Sequence, residues 1–183
     1  MIRVIDIFLS GLGLIVFSPL IFLVYLIIYV ENRSPIFYQE RLGRKMKIFL
    51  LVKFRTMNIG TGSYATHLVD PRSISMIGKL LRKTKIDELP QLWNVLKGEM
   101  SIVGPRPCLT SQKELIEARL KFNIYRTKPG ITGLAQINGI DMSDPILLAE
   151  TERKMLRNFN ILNYFYYIIL TVFGFGLGDR VKK

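Results

Sequence analysis

Cysteine is almost missing from this sequence: Cys108 is the only one in 183 residues. That excludes an intramolecular disulfide and any metal centre built on thiolates, and it suits a location facing the cytosol. Histidine is equally scarce. His67, the only one, sits in the polar stretch from Thr61 to Pro71, where a solvated loop residue is expected rather than a ligand or a base. Negative charge is also in short supply, with 14 Asp and Glu against 26 Lys and Arg and a formal net charge of +12. Such a surface attracts phosphates, whether of nucleotides, anionic lipid headgroups or nucleic acid. The chain carries no recognisable nucleic-acid-binding motif, so no nucleic acid is expected among its partners.

What is present is hydrophobicity: 49% of residues are apolar, and they are segregated from the basic ones. From Val4 to Val30 the only charged residue is Asp6. A run of this kind is membrane material. A cleaved signal would have a shorter apolar core and a small-residue cleavage site, whereas this run ends in Val30-Glu31-Asn32-Arg33-Ser34-Pro35, so it is expected to be retained. A straight helix of that length reaches roughly 40 Å, enough to span a bilayer with tilt. Ser18-Pro19 near its middle argues for a break, since proline removes a backbone hydrogen bond and serine bonds back to a carbonyl. Arg3 before the run and Arg33, Arg41, Arg44, Lys45 and Lys47 after it suit a re-entrant hairpin with both ends cytosolic. A spanning helix with a proline kink fits the same residues. Asp6 is expected to pair with Arg3 or to sit at headgroup level without being buried.

Beyond the anchor, residues 36–43 and 47–57 read as two extended arms of a hairpin with a basic turn between them. The second arm places Lys53, Arg55 and Thr56 so that two cations share a face, as a substrate-binding or as a merely solvated basic surface. Residues 58–75, rich in Gly, Thr and Ser, predict a mobile loop, and 74–81 a short helix. The most informative piece runs from Arg82 to Gly98. Leu89, Leu92, Trp93 and Leu96 follow the spacing of an amphipathic helix, Pro90 fixes its first turn near Asp87, and Gly98 ends it. Asp87 is then either a helix cap or a carboxylate poised, with Glu88, among Arg82, Lys83 and Lys85. Two adjacent carboxylates amid cations suit a nucleophile beside a divalent-metal ligand acting on a diphosphate. They do not suit a glycosidase, whose two carboxyls flank the scissile bond. In Val103-Gly104-Pro105-Arg106-Pro107 the two prolines hold Arg106 either as a phosphate clamp or as an incidental turn residue. Further helices are expected over 110–125 and 145–158, a glycine-rich turn with a short strand over 126–139, and an aromatic interfacial helix over 159–178.

Several blocks occurring in one order make the chain similar to the bacterial sugar transferase family, the small monotopic phosphoglycosyl transferases of glycoconjugate assembly. They are Ser18-Pro19, Gln39-x-Arg41-x-Gly43, Lys53-Phe54-Arg55-Thr56-Met57, Asp87-Glu88-Leu89-Pro90-Gln91, Asn94-Val95-Leu96-Lys97-Gly98, Val103-Gly104-Pro105-Arg106-Pro107 and Lys128-Pro129-Gly130-Ile131-Thr132-Gly133. The resemblance covers almost the whole chain. It implies an α+β, membrane-anchored monotopic protein, with a re-entrant helix over 1–33 broken at Ser18-Pro19 and a membrane-surface catalytic domain over 34–183. It implies that Asp87 attacks the β-phosphate of a UDP-sugar, that UMP leaves, and that a polyprenol phosphate such as undecaprenyl phosphate then takes the sugar phosphate. Glu88 is implied as a Mg²⁺ ligand, and Lys53, Arg82, Pro105 and Arg106 as residues around the diphosphate. The implied setting is the cytosolic face of the bacterial inner membrane, among its lipids, and a homodimer is compatible with it. Relatives often carry Asp-x-x-Tyr before the final apolar stretch, where this chain has Glu152-Arg153-Lys154-Met155. No long multi-span segment precedes the anchor in this sequence, which reads as the minimal catalytic unit. The competing expectation is a non-catalytic basic membrane adaptor in which Asp87 only caps a helix.

Overall fold

The structure, a computed structural model, describes residues 1–60 and 71–176. His67 and most of the loop expected over 58–75 lie outside the described residues. The apolar amino-terminal run forms two helices, α1 (Ile2–Val16) and α2 (Ser18–Asn32), with Phe17 between them and their axes bent by 60°. Pro19 falls in the first turn of α2, where a missing N–H deprives no carbonyl of a partner, and Ser18 Oγ donates to the Ile15 carbonyl at 2.8 Å. Among the described residues no single helix is long and apolar enough to cross a membrane, whereas the bent pair meets that criterion together. One side of the pair is apolar and uncovered, with Val4, Phe8, Leu12, Ile15, Phe22 and Val30 exposed. From the other side Val24 and Ile28 of α2 pack against Phe54 and Leu81.

Asp6 departs from expectation. It is buried, with 2% of its surface exposed, and one of its carboxylate oxygens accepts from Ser101 Oγ (2.9 Å), the Ile102 amide (2.9 Å) and Tyr164 Oη (2.8 Å). Arg3 turns elsewhere and donates to the carbonyls of Val95 and Leu96. A buried carboxylate is tolerated when such donors satisfy it, so α1 is tied to the rest of the chain by a polar clasp inside an apolar contact. Asp6→Ala leaves the three donors without their acceptor. The expected loss is about 3 kcal/mol, read as a lower thermal midpoint in detergent.

The hairpin forms as expected. Strands β1 (Ile36–Leu42) and β2 (Ile48–Phe54) pair antiparallel from Ile36 opposite Phe54 to Leu42 opposite Ile48, through a tight turn over Arg44–Met46. Helix α3 (Met76–Thr84) follows, capped by Ser75, whose hydroxyl accepts from the Gly78 amide. A 3₁₀ turn over Ile86–Glu88 then leads to α4 (Gln91–Lys97), ended by Gly98 in the left-handed conformation at φ +87°. Asp87 therefore lies in the 3₁₀ turn, and its side chain caps no helix.

The buried face of α4 differs from the apolar stripe read in the sequence. Gln91, Asn94 and Val95 are buried, Leu92 and Leu96 are half-buried, and Trp93 is exposed. Leu92 and Leu96 instead meet α1 at its glycines, where a Cβ on Gly13 would lie 3.1 Å from Leu92 Cδ1. Asn94 acts as a substitute strand: it accepts from the Val52 amide (3.0 Å) and donates to the Leu50 carbonyl (2.7 Å) on β2.

Strand β3 (Ser101–Val103) pairs in parallel with β4 (Gly130–Thr132), and α5 (Lys113–Lys121) lies in the crossover between them. The chains meet closely where β3 ends: a Cβ on Gly130 would lie 2.0 Å from the Gly104 amide nitrogen. Helices α6 (Leu134–Ile137), α7 (Pro145–Arg157) and α8 (Ile161–Val172) complete the molecule. Val103, Met155, Tyr164 and Tyr167 form one core cluster, and Leu42, Cys108, Leu115, Tyr125 and Leu148 form another. The mixture of helices with two small sheets is the α+β class.

Candidate active site

Three elements converge on the carboxylate pair. The 3₁₀ turn presents Asp87 and Glu88, the end of β2 brings Lys53, and the last turn of α3 brings Arg82, with Lys85 following it in the left-handed conformation. Asp87 is 7% exposed and Arg82 8%. Lys53 and Arg55 share a face, as their spacing predicts, and both stack on the Phe37 ring at 5.4 and 5.3 Å. Arg106 arrives from the turn after β3 and donates to Glu88 Oε1 at 2.7 Å.

The two adjacent carboxyls differ in electrostatic character. Burial, with the Glu88 charge beside it, raises the Asp87 carboxyl to about 6, against the pull of Lys53, Lys85 and Arg82. Burial also opposes ionisation of Glu88, but Arg106 and Lys85 prevail and hold it at about 2. Lys53 is brought down to about 8 by burial and by the Arg41 charge. The pair thus consists of a committed anion and a second carboxylate that burial makes more basic, and so more nucleophilic, than usual.

The turn that carries Arg106 is gripped at every carbonyl. Gly104 O accepts from Gln136 Nε2 (3.0 Å), Pro105 O from the Gly130 amide (2.8 Å), Arg106 O from Arg119 Nη2 (2.8 Å) and Pro107 O from Arg41 Nη1 (3.0 Å). Arg41 is itself buried and held by Gln39 Oε1, at 3.1 Å from its Nε. Burial and the Arg106 charge lower it to about 10, so it stays charged at neutral pH. Arg119, 2% exposed, is held in turn by Glu152, which is wholly buried and accepts from Nε at 2.8 Å and from Nη2 at 2.5 Å. Two buried guanidiniums therefore hold the Arg106 carbonyl and the one after it. Arg119 and Glu152 were not singled out as functional from the sequence, because an arginine in a polar helix reads as solvated. Glu152, the point of departure from the relatives' pattern, stands behind Arg106 rather than beside the carboxylate pair.

A groove of about 410 Å³ opens at this site. Glu88, Lys85 and Arg106 line its polar end, while Phe17 and Leu20 at the helix break, with Val172 at the end of α8 and Phe175 beyond it, line its apolar end. The groove runs from Glu88 and Arg106 to the bend between α1 and α2.

For a divalent cation the donor set is limited: among the described residues no group of three His, Cys, Asp or Glu could hold a metal. One or two carboxylates suffice for Mg²⁺ when substrate phosphates and water complete its shell, and Asp87 with Glu88 fits that chemistry.

Cations thus surround a carboxylate pair beside an apolar groove. The model of the bacterial sugar transferase family matches residues 1–176, and the chain belongs to that family. It is 34% identical over 179 residues to a sugar transferase of Haemophilus influenzae, covering 88% of this chain and 38% of that protein. It is 40% identical over 144 residues to the UDP-glucose:undecaprenyl-phosphate glucose-1-phosphate transferase of Caulobacter vibrioides, covering 75% of this chain and 54% of that one. Against the UDP-N-acetylgalactosamine-undecaprenyl-phosphate N-acetylgalactosaminephosphotransferase of Aeromonas hydrophila it is 32% identical over 186 residues, covering 95% and 44%. The chain thus spans about two fifths to just over half the length of these three relatives.

Proposed function

We propose that the chain is a phosphoglycosyl transferase that moves a sugar 1-phosphate from a UDP-sugar to a polyprenol phosphate. The observation that carries this reading is the adjacent carboxylate pair, a buried Asp87 beside a Glu88 that Arg106 clamps and that lines the polar end of the apolar groove. Two relatives named as transferases between UDP-sugars and undecaprenyl phosphate support it.

In the first step a carboxylate oxygen of Asp87 bonds to the β-phosphorus. The bond from that phosphorus to the bridging oxygen breaks, UMP leaves with the bridging oxygen, and a sugar-phosphate ester remains on Asp87. In the second, a phosphate oxygen of the polyprenol phosphate attacks the same phosphorus and the Asp87 carboxylate is released unchanged. Lys53, Arg82 and Arg106 hold the diphosphate and offset the charge gathering on it. The turn through Pro105 keeps Arg106 aimed. Glu88 would hold Mg²⁺, which when bound supplies Lewis-acid shielding of the diphosphate oxygens. The first isoprene units of the acceptor lie in the groove beside Phe17, Leu20 and Val172.

On this reading α1 and α2 form a re-entrant element whose apolar side enters the lipid, while the remainder rests on the cytosolic surface of the bacterial inner membrane. The exposed Phe165, Tyr166 and Ile169 of α8 suit the headgroup level. The test is UMP release by the solubilised chain with Mg²⁺, polyprenol phosphate and a panel of UDP-sugars. Release that requires one donor and the acceptor is expected; absence of turnover with every donor removes the reading.

Lys53 gives a pH signature. Its ammonium must be charged to hold the diphosphate, and a lysine lowered to about 8 loses that charge as pH rises through that value. kcat/KM for the donor is therefore expected to fall above about pH 8, and Lys53→Arg to carry this limb beyond pH 9 while retaining turnover. An unchanged limb in Lys53→Arg removes Lys53 from diphosphate binding.

A further inference from the structure

At the other end of β2 lies a second concentration of positive charge that the transfer reaction does not use. A pocket of about 440 Å³ is lined by Arg44, Lys45, Lys47 and Lys128 together with Gly98 and Glu99. Lys47 immediately precedes β2 and Lys53 lies near its far end, so roughly 20 Å of extended strand separates this pocket from the carboxylate pair.

The charges in this pocket are not balanced. Glu99, its one acidic lining residue, already accepts from Lys97 Nζ (2.8 Å) and Asn94 Nδ2 (2.7 Å). Asp6, the other nearby carboxylate, is committed to Ser101, Ile102 and Tyr164. Among the described residues Lys45, Lys47 and Lys128 donate to no acceptor, and Arg44 donates only to the Arg126 carbonyl, at 2.9 Å. Arg3 Nη2 and Lys128 Nζ both lie within 3.4 Å of the point a Cβ on Gly98 would occupy, so the two cations stand within about 7 Å of each other. Burial, with Arg3 and Arg44 close by, lowers the Lys128 ammonium.

The backbone is also committed to this arrangement. Lys45 and Met46 are consecutive left-handed residues at φ 56° and 60°, where a tight hairpin ordinarily uses asparagine and glycine. A disfavoured turn thus holds Arg44, Lys45 and Lys47 beside Lys128, and Gly98 leaves room between Lys128 and Arg3.

We propose that this pocket binds a phosphate-bearing anion, a phospholipid headgroup or a soluble phosphate ester, apart from the site at Asp87. The inference does not rest on the transferase reading, and UMP release is not its readout. The test compares Lys47→Gln with Lys128→Gln, combined in one chain, against Lys113→Gln with Lys121→Gln, which removes equal charge from exposed positions on α5.

In one arm the full chain, in uncharged detergent, is titrated calorimetrically with inorganic phosphate and with glycerol 1-phosphate. In the other, binding to phosphatidylcholine vesicles is compared with binding to vesicles that also contain phosphatidylglycerol. The pocket variant is expected to lose at least about tenfold in affinity in one arm or both, and the α5 variant to match the wild type. Loss confined to vesicles identifies a headgroup, and loss in the calorimetric arm a soluble ester. Binding at the carboxylate site is common to all three proteins and cancels. Relief of repulsion should also raise the thermal midpoint of the pocket variant. Equal loss in the α5 variant, or wild-type affinity of the pocket variant in both arms, overturns the proposal.

Discussion

Replacing Asp87 by asparagine is expected to reduce UMP release by at least about a thousandfold while leaving the chain folded. Asparagine has nearly the same shape and fits the same pocket in the 3₁₀ turn, but its amide cannot form the sugar-phosphate ester. It also removes a buried carboxyl whose ionisation the fold disfavours, since burial and Glu88 push it up to about 6. The variant should therefore melt at the wild-type temperature or above it, which separates chemistry from stability. Intact-mass measurement adds a direct reading. Wild-type chain given donor without acceptor should gain the mass of one sugar phosphate, and the variant should gain none. Wild-type turnover in Asp87→Asn would reduce Asp87 to a structural residue and return the adaptor reading to first place.

Glu152→Gln should damage the protein by another route. Glu152 neutralises Arg119 with two hydrogen bonds where neither side chain meets solvent. Gln keeps the shape and leaves a buried guanidinium without its counter-ion, a loss of about 3–5 kcal/mol. For a chain of this size that lowers the thermal midpoint by roughly 6–20 °C. Because Arg119 also grips the Arg106 carbonyl, the surviving folded protein should show a raised donor KM as the clamp loosens. If Glu152→Gln melts with the wild type, the pair is not the anchor of that turn.

Local patterns were legible in the sequence, and partners distant in the chain were not. Two extended runs flanking a basic turn located the hairpin. Asp87, Glu88, Lys53, Arg82 and Arg106 were tied to one site by the resemblance to the sugar transferases, since the residues alone left Asp87 a helix cap, Lys53 a solvated cation and Arg106 a turn residue as alternatives, and the structure brings them together. The parallel pairing of β3 with β4 was hidden, since each strand is three residues long and its partner lies beyond a helix. The orientation of α4 was not legible for a physical reason. Periodicity reveals that a helix has an apolar side, but not whether that side meets a core, another helix or lipid. The buried side of α4 is instead marked by Asn94, a polar residue whose hydrogen bonds substitute for a strand.

The clasp on Asp6 bears on how the chain is made. Its partners lie 95, 96 and 158 positions downstream. Helix α1 must therefore wait, with its carboxylate unsatisfied, until Tyr164, 158 positions later, has been synthesised. During that interval the apolar run has only lipid or a chaperone to shelter it, so insertion into the bilayer should precede folding of the rest. Synthesis arrested before Tyr164 should leave a membrane-bound chain that is still sensitive to protease, and release beyond that point should close it.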